Sequence, residues 1–171
     1  MSIGLAAFTI FHVVLSLVGI VSGLVVVFGL LTDRRLDGWT ALFLATTVAT
    51  SVTGFFFPVH HFMPSHGVGI VSLLVLPIAI FARYRRHLAG PWRWIYVVSA
   101  MIGLYLNVFV LVVQSFLKLP ALKSLAPTQS EPPFKLTQLV VLVVFVVIAV
   151  VGVIRFRGGQ PRMERSPLQI A

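Results

Sequence analysis

The feature that most constrains this chain is a series of apolar segments, each with at most one charged residue. We delimit five of them, at residues 5–31, 39–57, 67–82, 92–117 and 136–154. A helix of about 20 residues crosses a hydrocarbon layer about 30 Å thick. The composition agrees, since 58% of the residues are hydrophobic and only 10% are charged. The sequence therefore predicts an all-α integral membrane protein, a bundle of five transmembrane helices forming one domain over residues 1–154.

The third segment is the weakest of the five, because it is short and contains Pro77. A re-entrant hairpin is the alternative at this position. The positions of the basic residues favour a full span. If all five segments cross, the ten arginines fall on one side of the membrane, and only Lys118, Lys123 and Lys135 fall on the other.

This distribution also predicts the orientation. Basic residues concentrate on the cytoplasmic side of membrane proteins, and the first charges of the chain, at residues 33–35, follow the first apolar segment rather than precede it. We therefore expect an external N-terminus, a cytoplasmic C-terminus and a location in the cell inner (plasma) membrane. Residues 118–135 are expected to form an irregular external loop, because Pro120, Pro127, Pro132 and Pro133 make this segment too rich in proline for a regular helix. The basic tail, residues 155–171, is expected to be disordered and to lie near anionic lipid headgroups.

The net charge of +9 would suggest nucleic-acid binding in a soluble domain. Here the basic residues flank apolar segments, so the lipid bilayer, with anionic lipid at the cytoplasmic face, is the expected partner and nucleic acid is not. The absence of cysteine excludes thiol chemistry. All four acidic residues lie outside the predicted spans, at Asp33, Asp37, Glu131 and Glu164. No acid–base pair for catalysis is therefore predicted within the membrane, and the sequence favours a protein that is not an enzyme.

Small and weakly polar residues predict which helix faces pack inward, because membrane helices associate through close contact. Three segments carry such stripes, and the fifth, with only Gln138 and Gly152, is expected at the edge of the bundle. The stripes are His12, Ser16, Gly19 and Gly23 in the first segment; Thr46, Thr50 and Thr53 in the second; and Ser99, Gly103, Asn107, Val110 and Gln114 in the fourth.

Histidines provide the one pattern that suggests chemistry. The predicted topology places His60, His61 and His66 at the external boundary, with His12 in the same leaflet. Imidazole ligates b-type haem, copper and zinc. We therefore predict a histidine cluster that binds haem or metal, from His12 and one or more of the other three, supported by Asn107 and Gln114. A proton or quinol role, or simple interfacial anchoring, are the alternatives for the same residues.

Two functions remain open at this point. One is a small redox, metal-handling or haem-handling membrane protein with a single histidine-lined site. The other is a structural or assembly subunit, without a cofactor of its own, that associates with other membrane subunits or with copies of itself.

Overall fold

The computed structural model describes residues 3–57 and 64–157, and all of their regular secondary structure is helical. The prediction of an all-α fold is confirmed. The helices of these residues are α1 (Ile3–Leu31), α2 (Asp37–Gly54), α3 (Pro64–Ile80), α4 (Trp92–Lys118), α5 (Pro120–Leu125) and α6 (Pro132–Arg155). Within the described part of the chain, four helical stretches are long and apolar enough to cross a membrane: α1, α4, α6 and the stretch His66–Arg85.

The long helices alternate in direction. In the α1–α2 pair, Gly19 lies against Thr46 and Thr47, while Gly23 lies against Phe43, so the two helices are antiparallel. Two contacts for each of the other pairs show the same antiparallel direction: Phe55 with Gly69 and Asp37 with Arg83 for α2 and α3, Leu76 with Gly103 and Tyr96 with Arg83 for α3 and α4, and Val97 with Gly152 and Phe109 with Gln138 for α4 and α6. One end of the bundle, the His12 end, contains the start of α1. The opposite end, the Arg83 end, contains the end of α3.

The third segment is one continuous helix rather than a hairpin. It passes through Pro77 and continues as a π-helical turn, Phe81–Arg85, closed by a hydrogen bond from the Arg86 amide to the Phe81 carbonyl (3.0 Å). Proline removes a backbone donor and crowds the preceding turn, but the helix does not reverse. The re-entrant alternative is therefore wrong.

The connection from α4 to α6 departs from the expected irregular loop. Pro120 begins the short helix α5, and Pro132 and Pro133 begin α6. Proline disrupts the interior of a helix, whereas its fixed φ suits the first helical turn, where no amide partner is needed. The expectation that these prolines exclude regular helix is therefore wrong at residues 120–125 and 132–135.

Packing follows the predicted stripes only in part. Ser99 and Gly103 are buried in α4, but Gln114 is exposed. At 100° per residue, the fifteen residues from Ser99 to Gln114 leave the stripe about 60° out of line, which turns its far end away from the core. Helix α6 contributes one buried residue, Gly152, and lies at the edge as expected.

Candidate functional site

His12 lies on the face of α1 that packs against α2. Its Nδ1 atom is 2.8 Å from the Thr53 hydroxyl, and its ring meets Phe57 edge to face, with ring centroids 5.1 Å apart. The Cε1 atom is the nearest group to Gly54, 3.8 Å from the position that a Cβ would take. The ring is thus held between α1 and the end of α2 by one hydrogen bond and one aromatic contact.

The hydrogen bonds around Thr53 bear on which nitrogen of His12 carries the proton. The Thr53 hydroxyl also lies 2.8 Å from the Ala49 carbonyl, which can only accept. A hydroxyl has one proton, so Thr53 accepts from His12 Nδ1 when it donates to Ala49, and it donates to Nδ1 when the ring proton is on Nε2. In the first arrangement Nε2 keeps a lone pair and can serve as a ligand or proton acceptor.

The other candidate histidines are placed as follows. His66 begins the apolar part of α3, and its ring lies 5.7 Å from that of Phe55, the residue that directly follows α2. Phe55 also covers Gly69, so this aromatic ring joins the end of α2 to the start of α3. His60 and His61 lie outside the described residues. Among residues 3–57 and 64–157, no group of three His, Asp or Glu side chains is arranged to hold a metal ion, so the histidine cluster gains no support.

Asn107 lies deeper in the bundle and belongs to a separate polar contact. Its Nδ2 atom donates to the Thr47 hydroxyl (3.3 Å), and the Thr46 and Thr47 hydroxyls converge with it above Gly19. A Cβ at Gly19 would lie 3.2–3.3 Å from these three atoms. Asn107 therefore joins α4 to α2 across α1, whereas Gln114 is on the exposed side of α4.

A charged cluster at the Arg83 end was not anticipated from the sequence. Arg83, in the π-helical turn, is only 3% exposed and donates to the carboxylate of Asp37 at the start of α2. Its guanidinium also lies over the Tyr96 ring of α4, 5.2 Å from the centroid. The signal that could have found the pair was Asp37, an acidic residue at the boundary of an apolar segment.

The same end of the bundle is closed by the last described residues. Phe156 is fully buried, with its ring 6.2 Å from that of Tyr96, and the Arg157 amide donates to the Asp33 carboxylate (2.7 Å). The beginning of the expected tail is therefore docked on the bundle, while residues 158–171 lie outside the described part of the chain.

Comparison with known proteins adds no assignment. No protein-family model matches this chain, and neither the curated proteins nor the solved structures contain a match.

Proposed function

We propose that the chain is a five-span integral membrane protein with an external N-terminus and a cytoplasmic C-terminus. The direction of the helices supports the fifth span. Helices α1 and α3 run parallel to each other, since each is antiparallel to α2. If both cross the membrane, the chain must return between them, and α2 is the segment that does so. Its 18 residues reach about 27 Å at 1.5 Å per residue.

The composition of α2 fits a span that is enclosed by other helices. Its buried residues include Thr40, Thr46, Thr47, Thr50 and Ser51. Small hydroxyl side chains are enriched where membrane helices pack closely against one another. The arginines support the orientation, since those of the described residues lie at the Arg83 end. A phosphatase that is active only in the periplasm should be inactive when fused after Ala171, because the C-terminus keeps it in the cytoplasm. An active fusion would refute the orientation.

For its activity, we propose that His12 is the functional group of the external end. The protein then acts as a small redox or metal-handling membrane protein, with haem, copper or zinc on His12 Nε2. The observation that carries this proposal is the hydrogen bond between His12 Nδ1 and the Thr53 hydroxyl, which fixes the ring and leaves Nε2 outside that bond. The sequence-based hypothesis adds His60, His61 and His66 as the source of further ligands.

The second candidate function is a structural subunit without a cofactor. It is favoured by the observation that polar side chains form hydrogen bonds between neighbouring helices. Besides Asn107 with Thr47, the Gln138 amide donates to the Phe109 carbonyl (3.2 Å) and joins α6 to α4. In this case the bond between His12 and Thr53 is another link of the same kind.

Binding measurements on the purified protein distinguish the two functions. The wild type and three variants are incubated with haemin, copper or zinc, then examined by visible absorption and metal analysis. If His12 is a ligand, His12→Phe abolishes binding, and Thr53→Val weakens it about 10–100-fold, as loss of a ligand's supporting partner does. Ser16→Ala is the matched control, because Ser16 lies one turn along α1 and bonds only to its own helix (Val13 carbonyl, 2.9 Å). A wild type that binds none of the three refutes the ligand role and leaves the structural subunit.

A further inference from the structure

Thr50 differs from the threonine one turn before it on the same face of α2. Thr46 and Thr50 are both 8% exposed. The Thr46 hydroxyl bonds to the Leu42 carbonyl (2.7 Å), and the Ser51 and Thr53 hydroxyls bond to their preceding turn in the same way. The Thr50 hydroxyl is buried and has no hydrogen-bond partner within residues 3–57 and 64–157.

The surroundings of Thr50 are polar on both sides along α2. Towards the middle of the bundle lie the Asn107 amide and the Thr47 hydroxyl, above Gly19. Towards the His12 end lies the pair formed by His12 and Thr53. Three helices thus bring hydroxyl, amide and imidazole groups to one stretch of the interior.

The polar stretch ends at a tightly packed apolar layer. A Cβ on Gly23 would lie 2.5 Å from Leu104 Cδ1 and 2.9 Å from Phe43 Cδ2, well inside ordinary contact distance. Phe43 and Leu104 are each 1% exposed. This layer has no room for another molecule, so a polar ligand would be confined to the half of the bundle between Gly19 and the His12 end.

We propose that this stretch binds an internal water molecule. The water forms a hydrogen bond with Thr50 Oγ1, as donor or acceptor, and further hydrogen bonds with the polar groups that flank Thr50. A buried hydroxyl without a partner is unfavourable, and internal waters occupy sites that offer two to four polar partners. The inference stands whether or not His12 binds a metal.

Thr50→Val tests the proposal, because valine keeps the shape and removes the hydroxyl. Bound water loses a partner in this variant, so the Tm in detergent should fall by a few degrees. Thr46→Val is the matched control, with equal burial and a hydroxyl bonded to its own helix, and should change the Tm little. An unchanged or higher Tm for Thr50→Val overturns the proposal, because removing an unsatisfied hydroxyl relieves a cost.

Solid-state NMR provides a second measurement that does not depend on stability. Magnetisation transferred from water in lipid-reconstituted wild-type protein should reach Thr50 and its neighbours but not Phe43. In Thr50→Val the transfer around position 50 should be reduced. Absence of transfer at Thr50 in the wild type overturns the proposal directly.

Discussion

Substitution of Gly23 by alanine should destabilise the bundle by a predictable amount. The new methyl group would lie 2.5 Å from Leu104 Cδ1 and 2.9–3.0 Å from the Phe43 ring, where carbon atoms normally stay about 3.5–4.0 Å apart. Because both neighbours are buried, neither can swing into open space. Overpacking of this kind costs about 1–3 kcal/mol, while alanine gains up to about 1 kcal/mol over glycine in a helix.

Gly4→Ala isolates the steric part of this effect. Gly4 lies in the first turn of the same helix with nothing within 4 Å of its Cβ position, so that variant adds a methyl group without a clash. The difference between the two variants should be the overpacking term, about 1–3 kcal/mol, or roughly 2–12 °C in Tm for a chain of this size. Thermal unfolding in detergent measures it. If Gly23→Ala is as stable as Gly4→Ala, the packing of α1 against Phe43 and Leu104 is wrong.

Two further predictions concern the Arg83 end and its loop. Asp37→Ala should lower stability by about 1–3 kcal/mol, because it leaves a buried guanidinium without its carboxylate. Adding Arg83→Met should restore most of the loss in the same unfolding assay; a further loss in the double variant would show that Arg83 does not depend on Asp37. His87→Gly should raise stability by about 1 kcal/mol, because His87 has φ +49°, a conformation that costs other residues roughly 1–2 kcal/mol. His87→Ala is its control and should show no gain.

The helices could be predicted from the sequence because their signal is local. Uninterrupted apolar length is a property of consecutive residues, and the stripe through Gly19 and Gly23 follows from helical periodicity alone. The connection between α4 and α6 could not be placed in the same way. Pro120, Pro132 and Pro133 break a helix or begin one depending on position, and composition does not reveal position.

The environment of individual polar residues was also beyond the sequence. Arg83 reads as one more arginine flanking an apolar segment, yet the π-helical turn and Asp37 bring it into the core. A shared leaflet suggested that His12 would meet other histidines, but depth in the membrane says nothing about the direction a side chain takes around the helix. In the structure its hydrogen-bond partner is Thr53. Helix crossing, which depends on contacts distant in sequence, decides such pairings.

The most direct test of the account is the side of the membrane on which two loops lie. The chain contains no cysteine, so single cysteines can be labelled with a membrane-impermeant maleimide in intact cells. If α2 and α3 both cross, Arg35→Cys and Ala89→Cys lie on the same, cytoplasmic side and react only after lysis, whereas Ser124→Cys reacts in intact cells. Labelling of Ala89→Cys but not of Arg35→Cys in intact cells would show that one of the two helices does not cross, and would contradict the five-span bundle.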